Sequence, residues 1–215
     1  MRLVLASANS EKVAELAAIL SEELGGLVEL VARPPQVAPV EETGETLEDN
    51  ARLKAVALVT ATGEAAVADD TGLEVMALGG APGVWSARFA GQGATYADNV
   101  AKLLEALEGE DDRRARFRTV VICRFPDGGE IVCEGAVEGE IISAPRGEEG
   151  FGYDPVFVPV GAGGRTFAEM SSVEKHGVSH RGRALRCLAA KLKESGVCDS
   201  PPGSASAPIR GCQRA

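Results

Sequence analysis

The stretch Ala65-Ala66-Val67-Ala68-Asp69-Asp70-Thr71-Gly72 places two aspartates directly after a short apolar run. An apolar run of this length predicts a buried strand, and Thr-Gly predicts the turn that ends it. Two carboxylates at the end of a buried strand are costly in desolvation and repulsion unless a cation or hydrogen-bond donors offset them. Because Mg²⁺ prefers carboxylate oxygens together with substrate phosphates, the pair is a candidate magnesium site. The alternative is a pair of solvated turn aspartates.

The residues on the N-terminal side of this stretch predict alternating strands and helices. Two short strands flank a first helix, and a second helix precedes the apolar run, over about residues 3–6, 28–32, 10–24 and 46–61. Asn9 suits the N-cap of the first helix, and Gly25-Gly26 suits its end. This strand–helix–strand order indicates an α/β protein.

The residues on the C-terminal side predict a further helix, two long strands and a final helix, over about residues 94–107, 115–125, 130–142 and 182–194. Pro126-Asp127-Gly128-Gly129 is predicted to turn the two strands into a hairpin. Glycine-rich loops are predicted at 78–83 and 147–154, and such loops often border binding sites. One domain is expected over 1–195, and the Pro-, Ser-, Gly- and Ala-rich residues 196–215 are expected to form a disordered tail.

The composition limits the classes of partner. The net charge of −10 argues against nucleic-acid polymers and anionic membrane surfaces, since both require a basic face. No apolar run approaches the roughly 18 residues of a membrane span, and the N-terminus has no signal-peptide pattern. The five cysteines form no Cys-x-x-Cys, so structural disulfides and zinc are not expected. We therefore expect a cytoplasmic protein in which Cys123 and Cys133 are buried thiols, the alternative being that they face each other across the hairpin.

A phosphate-binding segment is predicted where the first strand turns into the first helix. Backbone N–H groups and the dipole at a helix N-terminus attract anions. The segment adds a mobile positive charge at its end and consists of Ser7, Ala8, Asn9, Ser10, Glu11 and Lys12. It lacks the Gly-x-x-x-x-Gly-Lys pattern of a P-loop, and the alternative for Lys12 alone is an ordinary surface lysine.

A second acidic group lies at Glu41-Glu42 in a polar loop. Carboxylates from separate loops can converge on one Mg²⁺, so these side chains are candidates to join Asp69 and Asp70. The alternative is a solvated loop with no ligand.

Two segments near the C-terminus carry aromatic and cationic side chains. Phe151-Gly152-Tyr153-Asp154 offers rings on which a base can stack and a carboxylate acceptor, although an ordinary turn would have the same composition. Lys175, His180 and Arg181 fall just before the last predicted helix and can donate to phosphate or carbonyl oxygens. A serine–histidine triad is not favoured, because the chain has no Gly-x-Ser-x-Gly elbow.

Together, these segments resemble the inosine/xanthosine triphosphate pyrophosphatases, which remove deaminated purine nucleotides. The resemblance covers nearly the whole of residues 2–195, and its motifs occur in the family's order. They are Leu5-Ala6-Ser7-Ala8-Asn9 with Lys12, Glu41-Glu42-Thr43-Gly44, Asn50-Ala51 with Lys54, Ala68-Asp69-Asp70-Thr71-Gly72-Leu73, Gly79-Gly80-Ala81-Pro82-Gly83, Ser86-Ala87-Arg88, Phe151-Gly152-Tyr153-Asp154-Pro155 and Ser179-His180-Arg181-Gly182. The chain departs from the family's Thr-Gly-Asn at Ser7-Ala8-Asn9 and from its Asp-Asp-Ser-Gly at Thr71, and both changes keep a hydroxyl.

The resemblance implies a fold and an activity. The implied fold is a long central mixed sheet with two α/β lobes around a nucleotide cleft, in an arrangement shared with Maf-like proteins, and the implied assembly is a homodimer. The implied activity is Mg²⁺-dependent hydrolysis of ITP, dITP and XTP to the monophosphate and pyrophosphate.

The resemblance also implies a role for each candidate residue. Ser7 to Lys12, with Lys54 and Lys175, would hold the triphosphate, and Lys12 would add electrostatic catalysis. Glu41 and Asp70 would bind the metal, and Asp70 would also be the general base. Thr71 would touch the substrate. The base would be held by Phe151, Gly152, Tyr153, Asp154, His180 and Arg181.

Two other functions remain open from the sequence. One is a Maf-type pyrophosphatase acting on pyrimidine or modified nucleotides, whose hallmark Ser-x-Arg-Arg is replaced here by Ser10-Glu11-Lys12. The other is a non-catalytic nucleotide sensor on the same fold, against which the retained lysines and carboxylates argue.

Overall fold

A computed structural model describes residues 1–196 of the chain. Most of the predicted tail, residues 197–215, lies outside the described residues. The strands are β1 (Arg2–Leu5), β2 (Glu29–Ala32), β3 (Ala65–Val75), β4 (Pro82–Gly83), β5 (Arg114–Arg124), β6 (Glu130–Ile141) and β7 (Phe157–Pro159). The helices are α1 (Ser10–Leu24), α2 (Leu47–Thr62), α3 (Tyr96–Ala106), α4 (Ser172–Val178) and α5 (His180–Glu194).

The seven strands form one mixed sheet in the order β2-β1-β3-β5-β6-β7, with β4 paired to the far part of β3. Strand β1 pairs in parallel with both β2 and β3, whereas β3, β5, β6 and β7 pair antiparallel. The predicted mixed α/β sheet is therefore confirmed. The long hairpin of β5 and β6 is also confirmed, within a residue at each end.

The predicted end of the third strand is wrong. Strand β3 does not turn at Thr71-Gly72 but continues to Val75, so Asp69 and Asp70 lie in its middle. The cause is pairing with a distant strand, since β5 lies opposite β3 from Ala66 to Val75 and can satisfy the backbone groups on that side along this whole stretch. A local turn signal cannot outweigh such an extended ladder.

Helix ends follow local capping chemistry. Helix α1 has the predicted bounds, with the Asn9 side chain accepting from two backbone N–H groups and Gly25 closing the helix at a φ of 54°. The C-terminal helices differ from the prediction, because α4 is an additional helix and α5 begins two residues early, at His180. Ser179 explains this early start, since its hydroxyl accepts from the backbone N–H of Gly182.

The helices cover both faces of the sheet and divide the core into clusters. Helix α2 packs on β3 and β5 through Leu47, Ala51 and Ala55. A larger cluster joins α1 and α5 to the sheet, and another joins α3 to aromatic residues of the second half of the chain. Within residues 1–196, no helix has both the length and the apolar character that crossing a bilayer requires.

Replacing Gly72 with Ala should destabilise the protein. A Cβ at position 72 would lie 2.7 Å from the backbone oxygen of Gly83, so β3 and β4 would have to separate. We expect the free energy of unfolding to fall by about 1–3 kcal/mol, which denaturant unfolding would measure. Gly177→Ala is the matched control, because a Cβ there meets no atom within 4 Å and the position is helical. Equal stability of the two variants would contradict the close approach of β3 and β4.

Candidate active site

The two adjacent aspartates of β3 face opposite ways. Asp70 accepts from Lys54 Nζ at 2.8 Å and from Asn50 Nδ2 at 3.4 Å, both on α2. The Asp69 carboxylate instead lies 3.3 Å from Lys12 Nζ on α1 and 3.4 Å from Arg181 Nε on α5. Because side chains alternate along a strand, each aspartate belongs to a different set of partners.

Lys54 links Asp70 to a second carboxylate. Its ammonium donates to Glu42 at 3.1 Å as well as to Asp70. Burial raises the pKa of Asp70 above its ordinary value, and Lys54 only partly opposes that rise. Burial disfavours the charged ammonium of Lys54, yet Asp70, Asp69 and Glu42 together raise its pKa. The result is a buried group of two carboxylates held by one cation.

The structure brings Glu42, and not the predicted Glu41, to this group. Arg88 explains the choice, since its guanidinium donates to the Glu42 carboxylate at 3.1 Å and to the Glu42 backbone oxygen at 3.0 Å. Glu41 is exposed, and it is absent from the residues that line the adjoining cavity. The sequence offered two neighbouring glutamates and no local signal to choose between them.

Most of the predicted residues line one cavity. They are Asn9, Lys12, Asp70, Thr71, Phe151, Gly152, Tyr153, Asp154, Lys175, His180 and Arg181. Lys54 does not itself line the cavity, but it donates to Asp70, which does. The predicted residues that do not line it are Ser7, Ala8, Ser10, Glu11 and Glu41. Two of these support lining residues, since the Ser7 hydroxyl accepts from the backbone N–H of Asn9 and Glu11 accepts from Tyr96.

The N-terminus of α1 contributes Asn9 and Lys12 to the cavity lining. The Asn9 side chain caps the helix by accepting from the backbone N–H groups of Glu11 at 2.9 Å and Lys12 at 3.2 Å. The same amide donates to the Tyr96 hydroxyl at 2.8 Å. Tyr96, which was not predicted, thereby joins α3 to this helix end. A helix N-terminus with a nearby lysine favours an anion.

Phe151 and its neighbours form another part of the cavity lining. The Asp154 carboxylate accepts from the Phe151 backbone N–H at 2.8 Å and from Lys175 Nζ at 2.7 Å. Lys175 also lies 4.8 Å from the centroid of the Phe151 ring. Tyr153 is buried and donates to the backbone oxygen of Ser86, whereas Phe151 is only partly buried.

A chain of largely buried charges connects α1 to the C-terminal helices and to β3. Glu15 of α1 accepts from Lys175 Nζ at 2.7 Å and also from Arg181 Nη1. Arg181 then reaches Asp69 and the Thr71 hydroxyl. Burial would raise the pKa of Glu15, but the two cations hold it below its ordinary value. Glu15 was not predicted, although its place one helical turn after Lys12 puts both on one face of α1.

His180 is a neutral, buried ring. It stacks on Phe117 with 4.5 Å between ring centroids, and only 2% of its surface is exposed. Burial, with the nearby charge of Arg181, holds its pKa well below the ordinary value. Its Nδ1 atom has no hydrogen-bond partner among residues 1–196. The ring therefore contributes an uncharged wall to the cavity.

The carboxylates of Asp70 and Glu42 can supply only part of the ligand set of a Mg²⁺ ion. Within residues 1–196, no three His, Cys, Asp or Glu side chains are grouped to hold a metal by themselves. Asp70 and Glu42 supply two carboxylates beside the cavity. Mg²⁺ commonly binds through one or two carboxylates, completed by water and substrate phosphates, so the residues present fit that ion.

Comparison with known families identifies the chain's relatives. The model of the family described as Ham1 matches residues 3–191, which include the whole cavity. The chain belongs to the Ham1 family. This membership confirms the resemblance that the motifs indicated.

Individual relatives are similar to this chain over most of their length. A protein of Deinococcus deserti named dITP/XTP pyrophosphatase is 47% identical over 193 residues, which are 90% of this chain and 90% of that protein. One of the same name from Desulforamulus reducens is 50% identical over 188 residues, covering 86% of this chain and 92% of that one. The solved Ham1 protein of Coxiella burnetii superposes with a TM-score of 0.81 at 43% identity, covering 90% and 99% of the two chains.

Proposed function

We propose that this Ham1-family chain hydrolyses the non-standard purine triphosphates ITP, dITP and XTP to the monophosphate and pyrophosphate. The observation that carries the proposal is that Lys12, Asp70 and Phe151 line one cavity, which brings together a cation, a carboxylate and an aromatic ring as the binding of a nucleoside triphosphate requires. The name dITP/XTP pyrophosphatase, carried by relatives at 47% and 50% identity, supports the same substrates. Such an enzyme would keep deaminated purines out of DNA and RNA.

We propose that Asp70 and Glu42 hold Mg²⁺ when substrate is bound. The ion would supply charge neutralisation on the phosphate oxygens. Asp70, whose pKa burial raises, can also take a proton from the attacking water, since a more basic carboxylate is a better proton acceptor. Lys54 keeps both carboxylates in place until the substrate enters, because it donates to each.

The phosphate end is proposed to use the N-terminus of α1 with Lys12 and Lys54. Water attacks the α-phosphorus and pyrophosphate leaves, so negative charge on the leaving group must be stabilised. Positioned cations in a site shielded from water supply that stabilisation. Lys175, which the resemblance assigned to the triphosphate, is paired with Asp154 and Glu15, so we propose that it instead fixes Asp154 beneath the base.

The base end is proposed to combine Phe151, Asp154 and His180. The Phe151 ring offers a stacking surface, while Asp154 and His180 offer polar atoms near it. Hypoxanthine and xanthine carry an accepting 6-oxo group where adenine carries a donating amino group. A site that donates to this position leaves its donor unpaired against adenine. Arg181 is proposed to position the site, because each of its nitrogens already donates to Asp69, Glu15 or Thr71.

A nucleotide panel tests the proposed reaction. With Mg²⁺, purified protein should release pyrophosphate from ITP, dITP and XTP, with kcat/KM for ATP lower by up to about 10⁴-fold because of the mismatch at the 6-position. Pyrophosphate release is measured with a coupled assay, and GTP, dTTP and UTP complete the panel. If no pyrophosphate is released from ITP, dITP or XTP, the proposal is wrong. Faster release from dTTP or UTP than from ITP would favour a Maf-type enzyme.

The assembly and its setting are further proposals. We propose a homodimer, as the resemblance implies, and a cytoplasmic setting, as five cysteines without a Cys-x-x-Cys favour. Residues 1–195 are proposed to form the catalytic domain. Sedimentation of the purified chain would test the dimer, and a monomer at micromolar concentration would contradict it.

A further inference from the structure

Helix α5 and strand β6 approach each other unusually closely. At Gly135 of β6, an added Cβ would collide with the backbone oxygen of His180 and lie 2.6 Å from the backbone nitrogen of Ala184. Only a residue without a side chain fits between the two elements here. Arg183 and Lys191 hold the helix along the same strand by donating to the backbone oxygens of Ala136 and Val132.

This close approach brings two cysteines from separate elements together. Cys133 lies two residues before Gly135 and therefore on the same face of β6. Cys187 lies three residues after Ala184, so it falls on the same face of α5. Their sulfur atoms are 2.7 Å apart. Backbone placement, and not only the side-chain rotamers, thus makes these two residues neighbours.

The two thiols differ in their surroundings. Cys133 is 3% exposed, and burial raises the pKa of its thiol to about 12, with the hydrogen bond to Cys187 adding to the rise. Cys187 is only partly buried. Reaction with an oxidant in solution should therefore begin at Cys187, since susceptibility follows thiolate character and access.

We propose that Cys133 and Cys187 form an oxidisable dithiol pair that a hydroperoxide converts into a reversible disulfide. The Cys187 thiolate attacks the peroxide, and its S–O bond forms as the O–O bond breaks. The leaving hydroxide of hydrogen peroxide, or the alkoxide of an organic hydroperoxide, takes a proton to become water or an alcohol. The Cys133 sulfur then attacks the sulfenic acid, and hydroxide leaves with the Cys133 proton as water. The two thiols together lose two electrons, and the peroxide gains them.

The disulfide would link helix α5 covalently to strand β6 of the sheet. The two residues are 54 positions apart, so the bond restricts a long loop in the unfolded chain. Helix α5 also begins with His180 and Arg181, which line the cavity. We therefore expect oxidation to raise the melting temperature by several degrees and a thiol reductant to reverse the rise.

Tryptic mapping tests the pair cleanly, because all five cysteines fall on different peptides. These are 119–124, 125–146, 187–191, 194–210 and 211–214. The full chain is treated with hydrogen peroxide, its remaining thiols are alkylated, and it is digested without reductant. We expect a disulfide-linked species of peptides 125–146 and 187–191, about 2 Da lighter than their sum, since two hydrogens are lost. Dithiothreitol should remove it.

Two variants decide the outcome. Cys187→Ser should lose both the linked species and the rise in melting temperature, and Cys133→Ser should do the same. If Cys133→Ser fails to fold, Cys187→Ser and the peptide map remain decisive. The proposal is overturned if Cys187 forms a disulfide with Cys198 or Cys212 instead. It is also overturned if peptides 125–146 and 187–191 remain unlinked while Cys187 is oxidised to a sulfinic or sulfonic acid. Neither readout depends on nucleotide turnover, so the result is independent of the proposed function.

Discussion

Asp70→Asn should lower kcat for ITP by about 10³-fold or more, in the upper part of the range typical of a lost general base. The substitution keeps the size of the side chain but removes the charge and the proton-accepting oxygen. Lys54 keeps a partner in Glu42, so the buried ammonium is not left alone. The loss should therefore fall on turnover, as measured by pyrophosphate release under saturating Mg²⁺-ITP.

A control variant and a binding measurement show whether the loss is specific to Asp70 and to turnover. Asp111→Asn is the matched control, because Asp111 is exposed and lies in the turn before β5, and its turnover should equal that of the wild type. Calorimetric titration with ITP should show that Asp70→Asn still binds the nucleotide. Turnover within tenfold of the wild type would remove Asp70 from the proposed mechanism. A wild type that binds ITP without hydrolysing it would instead support a sensor.

Arg181→Ala should be the most destabilising substitution in the cavity. Arg181 is 2% exposed and donates to Asp69 and Glu15, so its removal leaves buried carboxylates without that cation. Breaking a buried ion pair in this way costs about 3–5 kcal/mol. The melting temperature should fall by roughly 10 °C, since each kcal/mol is worth about 2–4 °C in a chain of this size. Thermal unfolding followed by circular dichroism would measure the fall.

A neighbouring arginine supplies the control. Arg183 is exposed on the same helix and donates to the backbone oxygen of Ala136. Arg183→Ala should cost no more than about 1 kcal/mol, because an exposed hydrogen bond contributes little. Similar losses of stability in the two variants would show that the buried charge chain does not depend on Arg181.

Sequence reasoning succeeded where short-range chemistry decides the structure. The bounds of α1 follow from Asn9 and Gly25, each of which acts within its own helix end. The long hairpin follows from β-branched strands and a short glycine turn. The family resemblance added the set of cavity residues, because its motifs lie on the elements that meet there.

Long-range contacts explain what sequence reasoning missed. The length of β3 is decided by β5, nearly fifty residues later, so the Thr71-Gly72 turn signal was misleading. The choice of Glu42 over Glu41 depends on Arg88, which comes from another part of the fold. Glu15 belongs to the site because α4 and α5 place Lys175 and Arg181 next to α1. None of these partners is visible in the local sequence.

The continuation of β3 through its aspartates has a consequence for how the two sets of ion pairs depend on each other. A single peptide unit joins Asp69, which is paired with cations of α1 and α5, to Asp70, which is paired with Lys54 of α2. Because consecutive side chains of a strand point to opposite faces, one short stretch of backbone fixes the positions of both carboxylates. A substitution that shifts the backbone of β3 at this point should therefore disturb the ion pairs on both faces of the sheet.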